Sequence, residues 1–107
     1  MIINNIEIQF SITDVNQAAA FDAALKEMEA VEKTLKADFA AKKMSYIDFL
    51  KGAIAMLKDF FVKATGVDVL GECSDYIVAQ DIYFCFLDEI GKAKDKLVVP
   101  YSADRVR

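Results

Sequence analysis

SYIDFLKGAIAMLKDFFVKATG, residues 45–66, holds a start signal, an apolar body and a stop signal in one stretch. Ser45 offers a hydroxyl to the free N–H groups of a first helical turn. Asp48, three residues on, suits the return arm of a capping box and the positive end of the helix dipole. Gly66 supplies the left-handed residue that ends a helix. Between them Ile47, Leu50, Ile54, Leu57 and Phe61 recur at spacings of three and four and share one stripe. Phe49, Ala53, Met56 and Phe60 form a second stripe beside it, which leaves Lys51, Lys58, Asp59 and Lys63 for water. A helix apolar on two sides needs neighbours on both, so 45–65 reads as the buried middle helix of a small core. Gly52 inside it costs about 1 kcal/mol relative to Ala. Its use there is the close approach of another helix.

Upstream, residues 14–43 read as a long helix capped by Thr13 or Asp14. Its apolar line is Ala18, Phe21, Leu25, Met28, Val31, Leu35 and Phe39, and Glu29–Lys33 and Glu32–Lys36 stand at the favourable i,i+4 spacing. At 1.5 Å per residue it is about 45 Å long, enough for one end to project. Before it, Ile6, Ile8, Phe10 and Ile12 alternate with Glu7, Gln9 and Ser11, the period of a half-buried strand. Asn4-Asn5 tolerates positive φ, so residues 2–12 read as a β-hairpin whose first arm is about three residues long.

Downstream, Val67, Val69 and Leu70 tuck a connector under the core, and Ser74 or Asp75 starts a third helix over 74–95. Tyr76, Ala79, Tyr83, Phe86 and Ile90 make its stripe, widened by Ile82, Cys85 and Leu87. Residues 96–107 contain the only proline and read as an extended tail ending in Arg105 and Arg107. The fold class is therefore mainly α (α+β): a short N-terminal β-hairpin, three helices with the middle one buried, and an extended C-terminal tail. Residues 1–107 form a single domain.

The net charge of −4 argues against general nucleic-acid binding, which needs a basic face. The absence of His removes the commonest general base and the commonest transition-metal ligand. No catalytic residue, cofactor or metal site is expected. Asp68, Glu72, Asp75, Asp81, Asp88 and Glu89 run together without the alternating ligand spacing of a calcium loop. They read as a solvated acidic surface or a patch facing a basic partner. No stretch reaches the roughly 18 consecutive apolar residues of a membrane span, and no basic segment precedes an apolar run at the N-terminus. A cytosolic protein that engages no membrane is expected. Cys73 and Cys85 fit a reducing compartment. Cys73, near a helix start, is the better reactive thiol, and Cys85, between Phe84 and Phe86, reads as a small core residue.

Function then falls to binding surfaces. Ile6, Ile8 and Phe10 form the hairpin's apolar face, which must rest on the helices or on another subunit. Tyr83 and Phe84 lie on different sides of their helix, so either one is exposed or the helices surround each other completely. Phe84 is accordingly a candidate partner contact. Arg105 and Arg107 suit an acidic surface.

The start MIINNIEIQF, the stretch FFVKATGVDVLGECSDYIVAQDIYFCFLDEI and the ending PYSADRVR belong to one order of features. A hairpin turn at Asn4-Asn5 precedes a long charged helix, an apolar helix ending in Phe60-Phe61, and a connector with Gly71, Cys73 and Asp75. A third helix and a proline-containing tail follow. This order resembles the small tail-assembly chaperones of siphophages and prophages of Gram-positive bacteria, over nearly the whole chain. It departs at the tail, where that family carries a denser basic ending than Ser102–Arg107. The resemblance implies a non-enzymatic factor in the host cytoplasm. Such a factor binds the tape-measure protein, helps recruit tail-tube subunits, and self-associates into a homo-oligomer. Its alternatives are a structural component of a phage tail or connector, or a small regulatory protein-binding module.

Overall fold

The computed structural model describes the backbone of residues 1–105 and the side chains of residues 1–96. Two short strands, β1 (Ile2–Ile3) and β2 (Ile6–Glu7), pair antiparallel with Ile2 opposite Glu7 and Ile3 opposite Ile6. The turn between them is Asn4-Asn5, both at positive φ (53° and 63°), the conformation of a type I′ hairpin. Asn4 Nδ2 donates to the Val69 carbonyl at 2.9 Å, which pins the turn to the distant connector.

The expected strand over 2–12 is shorter than its alternation predicts. Met1 and Ile8 exchange backbone hydrogen bonds of 2.7 and 3.1 Å, and the pairing stops there, leaving Gln9 and Phe10 outside the ladder. The inward period nevertheless persists, since Ile8 and Phe10 are buried and Ile6 and Ile12 half-buried.

Helix α1 (Val15–Ala40) starts at Asp14, whose carboxylate accepts from the Gln17 N–H at 2.9 Å. It ends before the expected Lys43 because Lys42 takes a left-handed φ of 61°. The Lys43 N–H then reaches the Asp38 carbonyl at 2.9 Å and the Lys42 N–H the Phe39 carbonyl at 3.0 Å, a Schellman closure built on lysine instead of glycine.

Helix α2 (Tyr46–Thr65) has the expected ends. The Ser45 hydroxyl accepts from the Asp48 N–H at 3.0 Å, and Gly66 closes the helix at φ 78°. Gly52 marks a close crossing with α1: a Cβ there would stand 2.8 Å from Leu35 Cδ1. Helix α3 (Tyr76–Arg105) is capped by Asp75, whose Oδ1 accepts from Ile77 and Val78 at 2.9 and 3.3 Å. Its backbone runs on past 95, so the segment expected as an extended tail from 96 is helical to Arg105. Within this helix Pro100 removes one backbone hydrogen bond and crowds the carbonyl four residues before it, a cost of about 3 kcal/mol that the backbone nonetheless spans.

The core lies where the second half of α2 meets the first half of α1, the start of α3, the hairpin and the connector. Phe10, Phe21, Phe60, Phe61 and Phe86 converge there, mostly edge to face, with neighbouring centroids 5.3–6.3 Å apart. Val69 and Leu70 of the connector are buried beneath them, as their sequence predicts. Burial stops at Ala24 on α1 and begins only at Ala53 on α2. The far halves of these two helices therefore project as a helical hairpin, joined near its tip by Phe39 stacked on Phe49 at 4.7 Å.

Candidate functional site

Both α1 and α3 lean on α2, and a groove of about 510 Å³ stays open between them. Met56 and Leu57 of α2 form its floor, Met28 one wall, and Tyr83 and Phe84 the other. Glu29 and Glu32 stand on the α1 rim. Partial burial raises the Tyr83 hydroxyl above the ordinary phenol range, and the two carboxylates push it further the same way. The groove is thus apolar at the bottom and negative at the edge. Methionine and aromatic side chains adapt to varied apolar shapes, and the groove carries no nucleophile paired with a base.

On the other side of α2 a groove of about 460 Å³ lies between the helix and the connector. Ile47, Leu50 and Ile54 give it an apolar wall, with Lys51 and Lys58 at its edge. Lys58 Nζ donates to the Gly71 carbonyl at 2.6 Å and pairs with Asp68 at 3.0 Å, so it staples the connector to the helix. That hydrogen bond holds the Asp68 carboxyl below its usual range, opposed by desolvation and helped by the Gly71 N–H. Across the molecule, Lys63 bridges Glu27 of α1 at 2.6 Å and Asp59 of its own helix at 2.9 Å, and these hydrogen bonds raise its pKa.

The sequence-derived partner residues scatter in this frame. Phe84 is half exposed at the lip of the acidic groove, whereas Tyr83 faces into it. Ile6 is half-buried against the core. Ile8 and Phe10 are corrected: they are buried under the protein's own helices and leave no surface for a partner, because the hairpin folds back on α3. Arg107 and the side chain of Arg105 lie outside the described residues. Cys73 is half-buried with its thiol on the Asp75 carbonyl at 3.4 Å. Cys85, expected in the core, is exposed, because it lies roughly 100° around the helix from buried Phe86.

The groove residues Met28, Met56, Tyr76 and Tyr83 were legible only as core stripe. Two methionines at facing positions are the one sequence signal that separates an adaptable surface from a fixed core. Among the described residues no group of three or more Cys, Asp or Glu side chains gathers as a metal site, and no helix is long and apolar enough to cross a membrane. No family model, no curated protein and no solved structure matches the chain.

Proposed function

We propose that this protein is a phage tail-assembly chaperone. In this reading it binds apolar helical segments of a tape-measure protein, keeps them soluble in the host cytoplasm, and helps recruit tail-tube subunits, without catalysis. The observation that carries the reading is the open groove between α1 and α3, floored by Met56 and Leu57 and walled by Met28 and Tyr83. An amphipathic helix lays its apolar side chains into such a groove, and methionine lets one groove serve many segments of a long client. The resemblance of MIINNIEIQF and of the stretch from Phe60 to Ile90 to tail-assembly chaperones supports the same reading.

Co-expression with the tape-measure protein tests it. The client partitions to the soluble fraction with the wild-type chain, and Met28→Glu, which puts a charge on the groove wall, reduces that fraction. No gain in client solubility with the wild type overturns the reading. So does finding the chain in stoichiometric amount in purified virions, because an assembly factor leaves the finished particle.

A further inference from the structure

On α2, Ile47, Lys51, Ile54 and Lys58 follow one another at steps of four, three and four, the spacing of one helical stripe. All four line the lysine-edged groove. On α3, Ile77, Asp81, Phe84 and Asp88 follow at the same steps. This second stripe faces away from the core. Ala79, Phe86 and Ile90 are buried on the opposite side of the helix, whereas Ile77 is 61% and Phe84 50% exposed, and both aspartates are exposed. Each stripe reads apolar, charged, apolar, charged, one with lysines and the other with aspartates. Among the described residues Lys51, Asp81 and Asp88 make no ion pair, and the Lys58 side chain stays 44% exposed while its ammonium holds Asp68 and the Gly71 carbonyl.

We infer that the outer stripe of α3 in one copy docks in the α2 groove of a second copy. With the two helices pointing the same way, Ile77 meets Ile47, Asp81 meets Lys51, Phe84 meets Ile54 and Asp88 meets Lys58. The reversed alignment in the same register sets Asp88 on Ile47 and Asp81 on Ile54, which desolvates carboxylates against apolar side chains. Shifted by one position towards the start of α3, it restores Asp81 to Lys51 but sets Ser74 on Lys58 and loses the second charge pair, so the parallel alignment is better matched than either. Within one copy α2 and α3 already run in the same direction, since Tyr76 lies beside Leu50 while Phe86 meets Phe60 and Phe61. Successive copies therefore point the same way. The two surfaces are unlike, so the contact is heterologous and repeats from copy to copy as a ring or a filament.

This contact goes beyond the chaperone reading and holds whatever the client is. Sedimentation velocity on the full chain at tens of micromolar protein tests it. The wild type sediments as a multiple of its 11.9 kDa chain mass. Lys51→Glu and Asp81→Lys each weaken self-association about tenfold, because one attraction at the interface becomes a repulsion. The double variant, with the two charges exchanged, recovers most of the loss. A wild type that stays monomeric across the micromolar range overturns the inference. So do single variants that associate like the wild type, or a double variant no better than the singles. Phe84 borders both surfaces, but Lys51 and Asp81 lie outside the lining of the groove between α1 and α3, so these two charge variants keep the client-solubility test separate.

Discussion

Phe84 and Phe86 stand two positions apart on one helix and have opposite fates. Phe86 has no exposed surface and meets the rings of Phe10, Phe21, Phe60 and Phe61 at centroid distances of 5.5, 6.0, 6.1 and 5.3 Å. Truncating it leaves a cavity that four other aromatic side chains cannot close together, so Phe86→Ala should cost about 3–5 kcal/mol. Phe84 contacts mainly Tyr83 and solvent, and Phe84→Ala should cost less than about 1 kcal/mol. Urea unfolding of both variants checks this, and equal losses would mean that the helix is rotated from the orientation described. Lys42 is the second decisive residue. It occupies the left-handed position of the α1 terminus at φ 61°, where a Cβ is strained and glycine is not. Lys42→Gly should therefore raise stability by about 1 kcal/mol, despite the usual penalty of added glycine in the unfolded chain. A fall in the urea midpoint would refute the strained-terminus account. The two left-handed sites without glycine differ in how readable they were. Asn4-Asn5 announces its turn because asparagine tolerates positive φ, whereas a lysine gives no such sign.

At the scale of elements, caps were the most legible feature. Ser45, Gly66 and Asp75 carry their role in their own chemistry, and each takes it in the structure. Faces were legible but their covering was not. Periodicity marks Val31 and Phe39 as apolar positions on α1, yet both are more than a third exposed because α2 covers only one side of each. The same limit put Cys85 in the core and left Ile8 and Phe10 open between the protein's own helices and another subunit. The crossing of α1 and α2 at Gly52 was readable, and it makes a sharp expectation. Alanine there gains about 1 kcal/mol of helix propensity but pushes Leu35 from its position, at a rotamer cost of about 0.5–1.5 kcal/mol. Gly52→Ala alone should be near neutral, and in a Leu35→Ala background it should stabilise by about 1 kcal/mol. A thermodynamic cycle over the two sites measures the difference, and additive effects would remove the close contact. The connector makes a pH expectation. Asp68 is held below its usual pKa chiefly by Lys58, so its contribution is present above the unfolded-state value and is lost as pH falls through the folded one. Asp68→Asn should lower the urea midpoint at about pH 7, and the gap from wild type should close as the pH falls through the lowered pKa of the folded carboxyl. A gap that persists in acid would place the effect in packing instead of charge.

Across the whole molecule, cohesion falls from one end to the other. The five-phenylalanine cluster, the connector and the hairpin turn gather at one end, where Asn4 reaches Val69 and Lys63 ties α2 to α1. At the other end the helical hairpin holds itself by Leu35 over Gly52 and by Phe39 on Phe49, with no buried residue on α1 after Ala24 or on α2 before Ala53. Helical hydrogen bonds are continuous along both helices, so secondary structure alone would give uniform protection. Local opening is instead set by how much apolar contact must be broken, which is small at the tip and large at the core. Native-state hydrogen exchange should therefore show two classes on the same helix. Amides from Ala53 to Ala64 should exchange only by global unfolding, and amides near Leu50 should open at a free energy several kcal/mol lower. The same tip bears Ile47 and Lys51, so association with a second copy should slow exchange there while leaving Ala53–Ala64 at the global limit. The concentration dependence of exchange separates the two causes. Tip protection that rises with protein concentration supports a covered stripe. Tip protection equal to that of the core at every concentration would show that the projecting arm is as cohesive as the rest, against the gradient argued from burial.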